Sequence, residues 1–286
     1  MTESGTLGTT YEKKETILSI ENVSLTLNEN LILRDVNAEV KDIVRPDCVQ
    51  GQVICFLGPS GIGKTQLSRV IAGLQKPTSG RVLVGAAQTP VRAGMVGMVP
   101  QSYPLFEFAT VDENLRIAAR FAGMSKTKTD TRIIELLHAF DITQYRTFYP
   151  KHLSGGTRQR VAIVRQLICS DHFLVMDEPF SGQDLINKKR ACALINSVAQ
   201  MDELNTIIIV THDITEGMSV ADTVWLMGQE PDAERPGEFL PGAKLVEQYD
   251  LAKLDLCWYP DITLDSRFLE LVSEIKARFL TLRKAA

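Results

Sequence analysis

Val53-Ile-Cys-Phe-Leu57 runs directly into Gly58-Pro-Ser-Gly-Ile-Gly63-Lys64-Thr65. The first stretch is apolar without polar alternation, as a strand covered on both faces requires. The second matches G-x-x-x-x-G-K-[ST]. After it, Thr65 to Gln75 brings Leu67, Val70, Ile71 and Leu74 round at helical spacing, before Pro77-Thr-Ser-Gly80 breaks the pattern as a turn. Strand, glycine-rich turn and helix in this order form a phosphate cradle. Glycines let backbone amides curl around phosphate oxygens, and a helix N-terminus offers unpaired amides and a dipole that favours anions. Gly58, Pro59, Ser60, Gly61, Ile62 and Gly63 are the expected loop. Lys64 is the expected cation for the β- and γ-phosphates, and Thr65 the hydroxyl ligand of Mg²⁺.

Outward from this unit, short apolar runs alternate with helical patterns, the signature of a mostly parallel sheet with crossover helices. Further strands are predicted at Ile17–Ile20, Phe173–Met176 and Ile207–Val210. Between about 102 and 170 strand signals vanish, and helices are predicted over Val111–Ala122, Thr131–Phe140 and Thr157–Cys169, an insertion between sheet strands. Gln229 to Gly242 reads as a loop. A C-terminal helix follows, with Phe268, Val272, Ile275, Phe279 and Leu282 on one face and Lys276, Arg278, Arg283 and Lys284 toward its end. The polar N-terminal residues 1–16 read as a flexible tail, 17–228 as the main domain and 229–286 as an extension.

The second chemical feature is Phe173-Leu-Val-Met-Asp177-Glu178-Pro179, an apolar strand delivering adjacent carboxylates at its C-terminal end, where ligands of open α/β sheets bind. Asp177 suits a Mg²⁺ shell, and Glu178 suits positioning or deprotonating an attacking water. The third is Leu153-Ser154-Gly155-Gly156, which opens the Thr157–Cys169 helix and makes a second serine-glycine helix N-terminus. One nucleotide has no evident need of two.

Bulk properties narrow the partners. A formal charge of -4 over 286 residues supplies no global positive field for nucleic acid or an anionic membrane. Apolar runs of about five residues fall far short of the roughly twenty that span a bilayer, so any membrane contact is expected through a partner. Five scattered cysteines, Cys48, Cys55, Cys169, Cys192 and Cys257, lack zinc or redox spacing and suit a reducing compartment.

Gly58–Thr65, Gln101, Leu153–Arg160, Asp177–Glu178, Asp184 and His212, in that order, closely resemble the nucleotide-binding subunit of ATP-binding cassette transporters over about 17–227. The resemblance implies an α/β P-loop NTPase fold with a mostly parallel central sheet, an antiparallel β subdomain and an inserted helical subdomain. It implies a head-to-tail pair, a homodimer in the simplest case, with ATP and Mg²⁺ sandwiched between one copy's phosphate loop and the other's Ser154, Gly155 and Gly156. It further implies that Gln101 links Mg²⁺ or water to an integral membrane permease, that His212 holds the γ-phosphate, and that Asp184 lies in a loop exchanging contacts across the dimer. Lys64, Gln101, Glu178 and His212 are then the catalytic set and Thr65, Gln101 and Asp177 the metal set, working at the cytoplasmic face of the membrane.

Three positions depart from the family pattern: the adenine-stacking aromatic is matched by Leu27, Thr157 replaces a commoner glutamine, and Lys41–Gln50 lengthens the connection into the phosphate-loop strand. The segment from Gly94 to Gln101 looks like bacterial importers. The tail, with Pro241-Gly-Ala-Lys-Leu-Val246, Tyr249-Asp-Leu251 and Pro260-Asp-Ile262, looks similar to the nitrate, sulfonate and taurine branch. An exporter or lipid-handling ATPase and a non-hydrolysing regulatory module stay as alternatives.

Overall fold

The computed structural model describes residues 2–4, 10–45, 51–170, 172–259 and 261–282. Cys48 and the rest of 46–50, Pro260, Arg283 and Lys284 lie outside them. In chain order the elements are β1 (Thr2–Ser4), β2 (Thr10–Leu27), β3 (Asn30–Val44), β4 (Gln52–Leu57), α1 (Lys64–Ile71), β5 (Ser79–Val84), β6 (Thr89–Pro90) and β7 (Gly97–Val99). There follow α2 (Val111–Phe121), α3 (Lys126–Ala139), α4 (Gly155–Cys169), β8 (Phe173–Asp177), α5 (Leu185–Ala199), β9 (Thr206–Thr211), α6 (Ile214–Val220), β10 (Thr223–Gly228), β11 (Lys244–Asp250) and α7 (Ser266–Phe279).

Six strands form the central sheet in the order β11-β10-β4-β9-β8-β7, parallel except for β11. The second sheet is antiparallel, in the order β1-β2-β5-β6 with β3 on the other side of β2. Every residue of β4 and β9 is buried, which explains their unbroken apolar runs. One core joins the central sheet to α2–α6 and α7, and the other fills the space between the sheets around α1. The helical insertion is real: α2 starts on a Thr110–Glu113 capping box, and Arg116 and Arg146 both reach Asp112, tying α2 to the loop before α4.

Three expectations need correction. Residues 10–16, read as flexible tail, are the first part of β2, with Glu12 opposite Val44 and Lys13 opposite Ile43. Their polar composition hides one anchor: Tyr11 is 1% exposed and meets the Trp258 ring edge-on at 5.5 Å. The phosphate-loop helix ends at Ile71 rather than Gln75, because Gly73 turns left-handed at φ 68° and its N–H closes back on Val70. Leu74, expected on the apolar face, is therefore exposed.

The C-terminal residues are built into the main unit. β11 extends the central sheet, and α7 buries Phe268, Val272 and Ile275 in the larger core. The junction is Asp222, just before β10. Its carboxylate accepts from Val53 N (2.6 Å) and from the Trp258 indole, while its carbonyl accepts from Leu251 and Ala252. The Arg45 guanidinium lies 4.2 Å from the Trp258 ring, so the end of β3, the start of β4 and the C-terminal segment meet at one buried acid.

Burial pushes the Asp222 carboxyl from 3.8 up to about 6, against the lowering pull of Arg45 and of the bonds from Val53 and Trp258. A raised folded-state value means that the folded chain holds this proton more tightly than the unfolded chain, so the group's contribution to stability falls as pH rises through that window. Asp222→Ala orphans two buried donors and should cost about 3 kcal/mol in urea unfolding. The cost should be larger near pH 5 than near pH 7, and equal costs at the two pH values would contradict this assignment.

Candidate functional site

Three parallel strands end level with one another. Leu57 of β4 is opposite Thr211 of β9, and Val210 is opposite Asp177 of β8. The ladder continues into the loops, where Gly58 N donates to Thr211 O at 3.2 Å and Glu178 N to Val210 O at 2.7 Å. Phosphate loop, acidic pair and the β9 end thus share one edge. Gly63 turns the chain into α1 at φ 109°, and a Cβ there would stand 3.0 Å from Ile32 Cγ2, so the close turn requires glycine.

Lys64, the first residue of α1, is 5% exposed. Its Nζ donates to Pro59 O at 3.1 Å and pairs with Glu178 Oε1 at 3.1 Å. The other carboxylate oxygen, Glu178 Oε2, accepts from Thr211 Oγ1 at 3.0 Å and His212 N at 3.3 Å, and lies 2.8 Å from His212 Nδ1. Burial works to raise the Glu178 carboxyl, but the His212 bond and the Lys64 ammonium outweigh it and hold it below the ordinary glutamate value. Glu178 also adopts φ 52°, a left-handed conformation costing a non-glycine residue roughly 1–2 kcal/mol.

Next to it, burial raises the Asp177 carboxyl, partly offset by Thr65 Oγ1, which donates to Asp177 Oδ1 at 3.2 Å. Thr65 and Asp177 therefore present adjacent oxygens, and no group of three or more His, Cys, Asp or Glu ligands exists among the described residues. That donor set fits Mg²⁺, which takes oxygen ligands, needs few from the protein, and keeps water and substrate phosphates for the rest. Gln101 reaches the same cleft and donates from Nε2 to Ser181 Oγ at 3.0 Å. The cleft has a volume of about 450 Å³ and is bordered by Ser60, Gly61, Gly63, Lys64, Thr65, Gln101, Glu178 and His212.

Ser154, Gly155, Gly156 and Asp184 lie elsewhere, around a second cavity of about 640 Å³. Ser154 caps α4, accepting from Thr157 N at 3.2 Å, and Asp184 caps α5, accepting from Asn187 N at 2.8 Å. Nothing lies within 4 Å of a Cβ built on Gly155 or Gly156, so this helix start faces open space. The residue at both cavities is Ser181, which the sequence reading missed because a serine two places after Pro179 carries no pattern of its own. Ile32 was missed too. Leu27, matched to the adenine-stacking position, and Ile32 both pack half-buried against the smaller core, and Ile32 also borders the phosphate-loop cleft.

Residues 42–181 match the family model described as ABC transporter. The chain is 36% identical over 212 residues to the sulfate/thiosulfate import ATP-binding protein CysA of Synechocystis sp., covering 73% of this chain and 57% of that protein. It is 35% identical over 211 residues to the probable sulfate/thiosulfate import ATP-binding protein CysA of Chlorella vulgaris, covering 73% of this chain and 86% of that one. The maltose/maltodextrin import ATP-binding protein MalK of Yersinia pestis is 35% identical over 72% of this chain and 54% of its own length, so the chain spans little more than half of several such relatives. In fold it is similar to cbiO1 of Clostridium perfringens, part of the ABC transporter complex cbiONQ, with a TM-score of 0.67, 22% identity, and coverage of 92% of this chain and 100% of that one. Fold, site order and sequence similarity agree that the chain belongs to the ABC transporter family, as an ATP-binding cassette protein.

Proposed function

We propose that two copies of this chain bind Mg²⁺-ATP between them and hydrolyse it to drive solute import through a separate integral membrane permease. The permease would hold them peripherally at the cytoplasmic face of the membrane. One observation carries the hydrolytic part: Glu178 stands at the end of β8 with Lys64 on one carboxylate oxygen and His212 on the other. Pairing is supported by Ser154–Gly156 lying in a cavity other than the phosphate-loop cleft, so a second copy is the natural source of that helix start. The permease is supported by the transport role in the relatives' names and by the absence, among the described residues, of any helix long and apolar enough to cross a membrane. Similarity of the 241–262 tail to the nitrate, sulfonate and taurine branch favours a small oxyanion as cargo.

In this mechanism Lys64 and His212 exchange the Glu178 carboxylate for the outer phosphates of ATP, which frees that carboxylate to orient the attacking water. Bound at Thr65 and Asp177, with Gln101 beside them, Mg²⁺ would offset phosphate charge. The partner's helix amides would add donors where charge develops on the transferred group.

Glu178→Gln should lower ATP turnover about a hundredfold or more. It should also bind ATP at least as tightly as the parent, because a neutral amide competes less for Lys64 and His212, and it should elute as a dimer when loaded with ATP. Turnover at the parent rate would remove Glu178 from the proposed role. Gly155→Glu adds bulk in open space, so the melting temperature should be unchanged and a single copy should still bind ATP while hydrolysis is lost; retained hydrolysis would count against pairing through α4. Purification from membranes should bring down an integral membrane protein, and recovery of soluble partners alone would sink the transport reading.

A further inference from the structure

The turn that carries His212 is short. β9 ends at Thr211 and α6 starts at Ile214, so His212 and Asp213 alone join them. On the cleft side the turn is held by Glu178, whose Oε2 accepts from the His212 main-chain N–H at 3.3 Å and lies 2.8 Å from His212 Nδ1. Those two contacts are the ones surrendered when His212 exchanges the carboxylate for phosphate. The His212 side chain is exposed, so core packing does not fix its ring.

A second tie reaches the same turn from α5. Lys188, in the first turn of that helix, pairs with Asp213 Oδ2, and its Nζ lies 3.9 Å from Glu216 Oε1 in the first turn of α6. The Lys188, Asp213 and Glu216 side chains are 24%, 19% and 18% exposed, so water and salt screen this group only in part. Burial works against a charge on Asp213, but the bonds with Glu216 and Lys188 outweigh it and hold the carboxyl below the ordinary aspartate value. Asp213 also occupies the N-cap of α6, where an aspartate ordinarily accepts from the first helical N–H groups, yet it makes no such bond. Its carboxylate is committed to α5 instead. Lys188 borders neither the phosphate-loop cleft nor the cavity beside α4, so it has no contact of its own to offer a nucleotide.

We infer that Lys188 is a positioning residue for ATP hydrolysis: through Asp213 it fixes the turn that presents His212, and so keeps the imidazole in place once Glu178 has released it. This rests on the reading of His212 as the residue that holds the γ-phosphate. The main chain passes the constraint along. His212 and Asp213 share a peptide unit, Asp213 N donates to Thr211 Oγ1 at 3.1 Å, and Asp213 O accepts from Gly217 N at 3.0 Å. With its N–H, carbonyl and carboxylate all engaged, Asp213 leaves the preceding residue little room to turn. An ion pair that merely joined α5 to α6 would change stability and leave the imidazole indifferent to its loss.

The test compares steady-state turnover of Mg²⁺-ATP by the full chain in four forms: parent, Lys188→Met, His212→Ala and the double variant. Lys188→Met should lower kcat about tenfold or more, because small displacements of a positioned group are costly to the reaction. It should leave KM for ATP within about twofold of the parent, since the phosphate loop is untouched. Lys188→Arg should restore most of the rate, as a guanidinium can still pair with Asp213. In the His212→Ala background, Lys188→Met should cost less than about twofold, the non-additivity expected of two residues acting through one group. Its effect on melting temperature should be the same in both backgrounds, which separates positioning from stability. Should Lys188→Met fail to fold because Asp213 and Glu216 then repel, adding Glu216→Gln removes one of the two acids and reads the same quantities. The inference is overturned by parent-like kcat in Lys188→Met, by failure of Lys188→Arg to restore the rate, or by the full loss recurring in the His212→Ala background. Parent-like turnover in His212→Ala would overturn it together with the reading of His212, whereas a parent-like Lys188→Met beside an impaired His212→Ala overturns it alone.

Discussion

The alignment of three parallel strand ends is the constraint on which the rest of the structure depends. Because β4 and β8 both pair with β9 in register, Gly58 hangs from Thr211 and Glu178 hangs from Val210 by main-chain bonds. Those two bonds place the phosphate loop and the acidic pair side by side before any side chain is considered. Complete burial of β4 and β9 makes the ladder rigid, since no water competes for its hydrogen bonds and its apolar faces are packed on both sides. The left-handed backbone at Glu178 is sustained by that rigidity, and it aims the carboxylate back at Lys64 and His212.

The electrostatics of the site follow from the same placement. Asp177 and Glu178 are neighbours in sequence with opposite shifts, one raised by burial and the other lowered by His212 and Lys64 in spite of burial. Two adjacent carboxylates in one cleft are thereby given different affinities for a proton and different partners. Thr65 beside Asp177 leaves one oxygen-lined corner, while the Lys64–Glu178–His212 cluster gathers the Lys64 ammonium and the His212 ring where an anion would enter.

What could be read from the sequence was local. Val53–Leu57 announced its burial through composition, the loop through glycine and lysine spacing, α2 through its helical pattern, and α4 through its helical pattern and the serine-glycine start before it. What escaped was set by contacts distant in sequence. Residues 10–16 have the composition of a tail and are held by Trp258 and by pairing with β3, neither of which any window around them contains. Asp222 looks like an ordinary loop acid and is the junction for three chain segments. Ile32 and Leu27 are both aliphatic residues of the β2–β3 hairpin, and only the fold decides which one borders the cleft.

One feature of the β8–α5 connection reaches beyond its own geometry. Glu178 begins it, Asp184 ends it by capping α5, and Ser181 between them touches both cavities and receives Gln101. A segment this short cannot be rearranged at one end and left at rest at the other. Whatever resets Glu178 therefore also pulls on Ser181 and on the cavity beside α4. In mechanical terms the connection is a short crank, and in the proposed pair it would make the state of one cleft a property of two molecules.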